Sequence, residues 1–238
     1  MIRVGCAGWA IPAAHAARFP AEGTHLARYA ARLPAVEINS SFYRPHRPAT
    51  YAKWAAAVPA DFRFAVKVPR AATHERRLKD TGEVLDRFLC EATQLGDRLG
   101  PLLVQLPPSL AFDSPVAEAF FADLRGRFSG GVVVEPRHRS WFTPAATRLI
   151  VAHRVARVAA DPAVVPAAAE PGGWDALVYL RLHGTPKVYY SNYDAAYLET
   201  LVATMTAAAR RAETWCVFDN TADGWATVNA LDVLGRVH

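Results

Sequence analysis

The sequence is poor in cysteine, in lysine and in long apolar runs, and each shortage excludes something. Its three cysteines, Cys6, Cys90 and Cys216, are odd in number, far apart and free of any C-x-x-C pair. A disulfide scaffold and a structural zinc site are thereby excluded, and a reducing, cytoplasmic compartment is the expectation. Only four of the 27 basic residues are lysines (Lys53, Lys67, Lys79 and Lys187), so arginine carries most of the positive charge. No apolar run approaches the ~18 residues of a membrane span, and no membrane partner is expected. The opening Met1-Ile2-Arg3-Val4-Gly5 lacks the basic stretch and apolar segment of a secretory signal. Gly5-x-x-Gly8 is too weak a pattern for a phosphate loop, no other cofactor motif stands out, and no cofactor is expected.

What is present is enough apolar material for a full core. The 238 residues are 52% hydrophobic and 21% charged, which excludes intrinsic disorder, and the formal charge of +5 hints mildly at an anionic partner. Short β-rich runs alternate with helical patterns along the whole chain. The strand candidates are residues 2–6, 35–38, 62–68, 102–106, 132–135, 155–160, 177–182 and 215–218. Helical patterns cover 24–33, 50–58, 83–99, 115–128, 144–153, 195–211 and 222–234. Ser114-Pro115 and Thr143-Pro144 place a capping hydroxyl before a first-turn proline, while Gly100-Pro101 reads as the stop after the third long helix. Eight strands alternating with helices predict an α/β fold, a single (β/α)8 barrel over 1–238. Its sixth unit is irregular, because residues 161–175 are rich in Pro, Ala and Gly and carry no helical pattern.

Alternation along each strand separates a helix-facing set from an interior set. In 62–68, Phe62, Phe64, Val66 and Val68 oppose Arg63, Ala65 and Lys67. Val36 and Ile38 oppose Glu37 and Asn39; Val132 and Val134 oppose Glu135, with Arg137 on the same side; Val178, Leu180 and Leu182 oppose Tyr179, Arg181 and His183. With the apolar set facing the helices, the interior turns polar at the carboxyl end: Glu37, Lys67, Gln105, Glu135, Arg137, Asp161, Arg181, His183, and Asp219 or Asn220. Active sites of such barrels sit at that end.

The same residues carry a family resemblance. Gly5-Cys6-Ala7-Gly8-Trp9 and Val36-Glu37-Ile38-Asn39-Ser40-Ser41-Phe42-Tyr43 are similar to the opening of the domain of unknown function 72 family, the YecE-like group. Further matches are Phe64-Ala65-Val66-Lys67-Val68-Pro69, Thr73-His74, Leu103-Val104-Gln105-Leu106-Pro107-Pro108 and Val134-Glu135-Pro136-Arg137-His138 with Trp141. Tyr179-Leu180-Arg181-Leu182-His183-Gly184 and Phe218-Asp219-Asn220-Thr221 complete the series. The resemblance implies a (β/α)8 barrel and brings no established reaction. Ala10 stands where an aromatic residue usually follows Gly-Trp, and Phe218-Asp219-Asn220 replaces the common Phe-Asn-Asn.

Chemistry is then weighed on the interior set. Glu37, Glu135, Asp161 and His183 have metal-ligand chemistry, but Lys67, Arg137 and Arg181 arise on the same side, so no metal is expected. The expected pairs are Glu37 with Lys67, Glu135 with Arg137, and Asp161 with Arg181, and adjacent carboxylates should keep Lys67 protonated. Arginine forks suit phosphate or carboxylate. The expectation is an enzyme, a hydrolase, lyase or isomerase, using acid–base chemistry on a small anionic or polyhydroxylated substrate such as a sugar phosphate. Glu37, Lys67, Glu135, Asp161 and His183 are the catalytic candidates, Glu37 and Glu135 being the proton carriers. Trp9, Asn39, Tyr43, His74, Gln105, Arg137, His138, Arg181 and Asn220 are the ligand-binding candidates. Phosphate or sulfate is the expected partner. A nucleic-acid-binding protein or phosphodiesterase is the alternative, because Arg44, His46, Arg47, Arg70, Arg76, Arg77 and Arg139 fall on loops of the same face.

Overall fold

β-Branched and aromatic runs lay down parallel strands around one axis, and the connecting segments return along the outside. In the computed structural model these are β1 (Ile2–Ala7), β2 (Ala35–Ile38), β3 (Arg63–Lys67), β4 (Leu99–Gln105), β5 (Val132–Glu135), β6 (Val155–Arg157) and β7 (Ala159–Asp161). A two-residue β8 (Gly172–Gly173) follows, then β9 (Leu177–Leu182) and β10 (Glu213–Phe218). The structure describes residues 1–237, so His238 at the end of the expected barrel domain lies outside it. The helices are α1 (His25–Ala30), α2 (Ser40–Tyr43), α3 (Pro48–Ala56), α4 (Gly82–Ala92), α5 (Ser114–Arg127), α6 (Pro144–Ala152), α7 (Ala195–Ala209) and α8 (Trp225–Leu234). No helix is long and apolar enough to cross a membrane among the described residues.

The sheet runs β7-β9-β10-β1-β2-β3-β4-β5-β6-β8, a nearly closed α/β barrel. Closure falls on the irregular sixth unit. β6 pairs with β5 and β7 pairs with β9, both in parallel. Between them Val158 donates its N–H to Val134 O at 2.9 Å. One chain segment thus passes from one neighbour to the other. The space beside β6 is taken by β8, which pairs antiparallel to it, and a short 3-10 turn at Pro166–Ala168 replaces a crossover helix.

Two cores follow from the strand alternation. The outer one packs Val4, Val36, Ile38, Phe64, Val66, Val104, Val134, Leu180 and Phe218 against the helices. The inner one fills the barrel with Ala35, Ala65, Leu103, Val133, Tyr179, Trp215 and Val217. Burying each larger apolar side chain contributes ~1.5–3 kcal/mol. The Tyr179 and Trp215 rings stack at 6.0 Å, so the interior is packed with side chains.

Several boundaries differ from the sequence pattern for local reasons. Thr143 Oγ1 caps α6 by accepting from Ala146 N, but Asp113, one residue before Ser114, caps α5 by accepting from Val116 N. The third long helix ends at Ala92 and continues as a 3-10 stretch broken at Gly96, whose φ is +54°. Gly100-Pro101 is therefore no helix stop. It lies inside β4, where a Cβ on Gly100 would meet the Trp215 ring at 2.6 Å. A one-turn helix, α2, also follows β2 directly where no helix was expected.

Gly5 fixes the approach of β1 to β2, because a Cβ there would meet Ala35 O at 2.0 Å. Backbone cannot yield as a flexible side chain can. Gly5→Ala is expected to lower unfolding free energy by about 2–3 kcal/mol or more, the cost of overpacking. Urea denaturation checks this, with Gly126→Ala as control, since nothing lies within 4 Å of that position.

Candidate functional site

The site is organised by a charged side chain that the barrel encloses completely. Arg181, on β9, is 1% exposed, and Glu37, on β2, is 0% exposed. Arg181 donates from Nη2 to Glu37 Oε1 at 2.7 Å and from Nε to Oε2 at 3.0 Å. The Tyr179 hydroxyl adds a third donor at 2.8 Å. Glu37 lies opposite Ala7 on β1 and Ala65 on β3. These small neighbours leave interior room for a guanidinium arriving from the far wall.

The remaining Arg181 donors reach two further carboxylates. Nη1 lies 3.2 Å from Glu135 Oε2, and Nη2 lies 3.0 Å from Asp219 Oδ2. Arg137, on the loop after β5, adds a second contact to Glu135, Nη2 to Oε1 at 2.7 Å. Burial lowers the affinity of Arg181 for its proton, but Asp219, Glu37 and Glu135 outweigh it and hold the guanidinium charged. Burial likewise pushes Glu135 up, and Arg181, His183 and Arg137 overcome it, holding the carboxyl well below the usual range. Asp219 is lowered against its own burial penalty by Arg181 and by the hydrogen bond from His183.

His183 sits between these acids. Its Nδ1 lies 2.9 Å from Asp219 Oδ2, an acceptor, and 3.4 Å from Arg181 Nη1, a donor. Its Nε2 faces one acceptor and two donors: Glu135 Oε1 at 2.8 Å, Arg137 Nη2 at 2.7 Å and Arg181 Nη1 at 3.3 Å. Protonated, Nε2 donates to Glu135; unprotonated, it accepts from Arg137. The Tyr189 ring stands edge-on to the imidazole at 6.0 Å.

Lys67 overturns two expectations. It does not pair with Glu37, whose partner is Arg181, because β2 and β3 set Glu37 opposite Ala65, two residues short of Lys67. Its ammonium instead rests on the Phe42 ring, Nζ 4.1 Å from the centroid, and forms no ion pair within 4.0 Å among the described residues. Nor do the adjacent carboxylates raise its pKa on balance. Burial and then Arg181 lower its pKa from the usual 10.5 to about 8, outweighing Glu37, Glu135 and Asp219. Phe42 is held there because Ser41 Oγ lies 2.7 Å from Lys67 O and 3.1 Å from Ile38 O, which ties α2 to the end of β3. Asp161 is a further correction. Its Oδ2 accepts from the Tyr193 hydroxyl at 2.6 Å and Thr185 Oγ1 at 2.7 Å, outside the Arg181 cluster. It shares its side of the strand with Ala159 of the outer core, whereas Ala156, Val158 and Ala160 face inward.

The other candidates divide by what they touch. Gln105 lies opposite Glu135 in the β4–β5 register. Asn39 and Asn220 each keep a buried Oδ1 without a partner among the described residues, and Asn220 Nδ2 donates to Ser191 O and Asn229 Oδ1, both at 2.9 Å. His74 stacks edge-on against Phe42 at 4.9 Å, and burial, then Lys67 and Arg70, lower its pKa. His138 caps the turn Arg139–Phe142 through Ser140. Trp9 packs against Trp54 at 5.1 Å, and Tyr43 is exposed beside Phe42. A cavity of about 200 Å³ lies against α2, with Phe42, Tyr43, Arg44, Arg70 and Arg87 in its lining. Several loop arginines are occupied locally: Arg70 pairs with Glu75, Arg76 donates to Asp80 O, and Arg77 donates to Ser109. Phe42 and Tyr189 had no signal in strand alternation, since both lie beyond the strands. Among the described residues no group of three or more His, Cys, Asp or Glu side chains is set out as a metal-ligand cluster.

The family described as "Protein of unknown function DUF72" matches residues 3–238. The UPF0759 protein YecE of Escherichia coli (strain K12) is 31% identical over 120 residues, covering 50% of this chain and 43% of that protein. The UPF0759 protein YunF of Bacillus subtilis (strain 168) is 28% identical over 155 residues, 60% of this chain and 53% of that one. The matches thus span about half the length of these relatives. Among solved structures, a DUF72 family protein from Enterococcus faecalis V583 superposes with a TM-score of 0.82 at 22% identity, covering 100% of this chain and 95% of that chain. A second, from Thermotoga maritima MSB8, gives 0.81 at 24% identity, with 100% and 99% covered. These likenesses establish the fold.

The lowered Lys67 pKa has a stability consequence whose sign is fixed. A lysine that binds its proton less tightly when folded destabilises the fold fully below about pH 8, and the penalty fades as pH rises toward 10.5. Lys67→Met is expected to raise unfolding free energy at pH 7 by about 1–3 kcal/mol, with the gain shrinking between pH 8 and pH 10. Denaturant titrations across that range measure it; a variant less stable than the parent at pH 7 would refute the assignment.

Proposed function

Starting from the fact that the chain belongs to the DUF72 family, we propose that it is an enzyme using acid–base chemistry on a small anionic or polyhydroxylated substrate, with a sugar phosphate as the fitting class. The reaction site is the carboxyl end of the barrel, and His183 is the proton carrier. The observation that carries this reading is the double environment of His183 Nε2, with Glu135 Oε1 at 2.8 Å and Arg137 Nη2 at 2.7 Å. A base must pass between two protonation states without rebuilding its surroundings, and this nitrogen has a partner for each. Asp219 fixes the ring through Nδ1, as an orienting carboxylate does in other acid–base sites.

This reassigns the proton from Glu37 and Glu135. Both Glu37 oxygens are occupied by Arg181 and Tyr179, and Glu135 is held below the usual carboxylate range. The acids orient the cations; the ring moves the proton. Arg137, whose side chain is 18% exposed, is the group suited to hold an anionic substituent. The buried amide oxygens of Asn39 and Asn220 are acceptors suited to substrate hydroxyls.

The test has a binding arm and a turnover arm. Calorimetry with inorganic phosphate should give saturable binding that Arg137→Ala weakens about tenfold or more. Arg76→Ala combined with Arg77→Ala should leave it within about twofold, since both side chains are engaged in their own loops. A panel of sugar phosphates followed by phosphorus NMR should reveal turnover that His183→Asn and Asp219→Asn reduce by about 10²–10⁴-fold. Turnover untouched by His183→Asn would refute the role of the ring. Affinity that depends on Arg76 and Arg77 and falls steeply with salt would favour a nucleic-acid partner instead.

A further inference from the structure

Lys67 is the one buried nucleophile of the cluster that the acid–base reading leaves unused. It ends β3 at the carboxyl mouth, is 6% exposed, and stands apart from the ion-pair network that absorbs its neighbours. The acids are taken: Glu37 by Arg181, Glu135 by Arg181 and Arg137, Asp219 by Arg181 and His183. The groups whose fields reach its amine are Arg181 from β9, Glu37 from β2, Glu135 from β5 and Asp219 after β10. His74 is coupled to it from the loop after β3. From this geometry we infer that Lys67 is an amine nucleophile, and that the substrate class is an aldehyde or ketone bearing an anionic group, captured on Nζ as an imine. The inference rests on the proposed small-anion site and adds the reactive group of its ligand.

The chemistry needs no further reagent. The Nζ lone pair attacks the carbonyl carbon, the C=O π pair moves to oxygen, and a proton passes from nitrogen to that oxygen, giving a carbinolamine. Uptake of one proton expels the hydroxyl as water and leaves a protonated C=N bond. The balance is amine plus carbonyl plus proton going to iminium plus water. Burial favours the free amine needed for attack, while the Phe42 face, 4.1 Å from Nζ, favours the cation formed afterwards. With a pKa of about 8, roughly 200-fold more free amine is present at pH 7.5 than for an ordinary lysine.

The scarcity of lysine makes the test clean. Lys53, Lys79 and Lys187, the other three, are all exposed. The full-length chain is treated at pH 7.5 with glycolaldehyde phosphate and sodium cyanoborohydride, whose hydride reduces the imine to a stable secondary amine. Peptide mass spectrometry then follows each lysine. Lys67 should be modified at least about tenfold faster than the three exposed lysines, with a rate that rises through an inflection near pH 8. Lys67→Arg should abolish the fast phase while circular dichroism reports an unchanged fold. Modification of Lys67 at or below the rate of the exposed lysines, or without that inflection, overturns the inference, and the wild-type pH profile decides this even where the variant misfolds. If phosphate binds yet Lys67 is slow, the amine inference alone fails. If Lys67 is fast and phosphate neither binds nor slows it, the amine nucleophile stands, while the anionic substrate class falls together with the anion-site reading.

Discussion

One guanidinium determines the arrangement of the barrel mouth. Arg181 crosses the interior and gives its donors to Glu37, Glu135 and Asp219, which arrive from three other places in the wall. Little solvent can compete, since all four side chains are nearly or wholly enclosed. A lysine there would present a point charge without the planar fork that addresses several acceptors in fixed directions. Networks of this kind add little net stability over apolar packing, because removing the charges from water costs about what their attraction returns. What Arg181 supplies is position. Each acid is oriented, and His183 is caught between two of them.

The same saturation explains Lys67. Glu37, Glu135 and Asp219 all face Arg181, and Glu135 also faces Arg137, so little of their attraction is left for Lys67, and Arg181 itself repels it. Burial therefore dominates, and the amine holds its proton loosely. Phe42 offers the alternative contact, a ring face that tolerates either charge state better than a carboxylate would. The residue that orders the acids thus also makes Lys67 the surplus cation.

Strand alternation makes the facing of most of these residues legible in the sequence itself. It works where the contrast is strong: Val66 and Val68 against Lys67, or Leu180 and Leu182 against Arg181, leave no doubt about which set meets the helices. It fails where contrast is absent. Residues 155–161 read Val-Ala-Arg-Val-Ala-Ala-Asp, and alanine fits either face, so alternation points Asp161 inward although it turns toward Tyr193. Pairing is a different matter from facing. Alternation gives the side of the sheet, whereas the rung depends on register: Glu37 lies opposite Ala65, and Lys67 stands two residues further on. An arginine reaching across the barrel leaves no local trace in the sequence. Gly100-Pro101 misled for a related reason, since the pair that ends helices also suits a strand start pressed against a distant tryptophan.

Protons that can move are few in so charged a place. Arginine side chains keep theirs throughout the accessible range, and Glu135 and Asp219 are held ionised. Lys67 holds its proton loosely, and His183 Nε2 has both a donor and an acceptor at hand, and the two proposed roles fall on these groups. They also constrain each other through the ligand. An anionic group placed beside Lys67 would raise its pKa and silence the amine, so the anion must lie nearer Arg137 and the carbonyl nearer Phe42. A ligand suited to both has its charge and its carbonyl at opposite ends. On the proposed roles, the proton exchanged by His183 would belong to an atom between them, where a protonated imine on Lys67 would draw electrons from the neighbouring carbon.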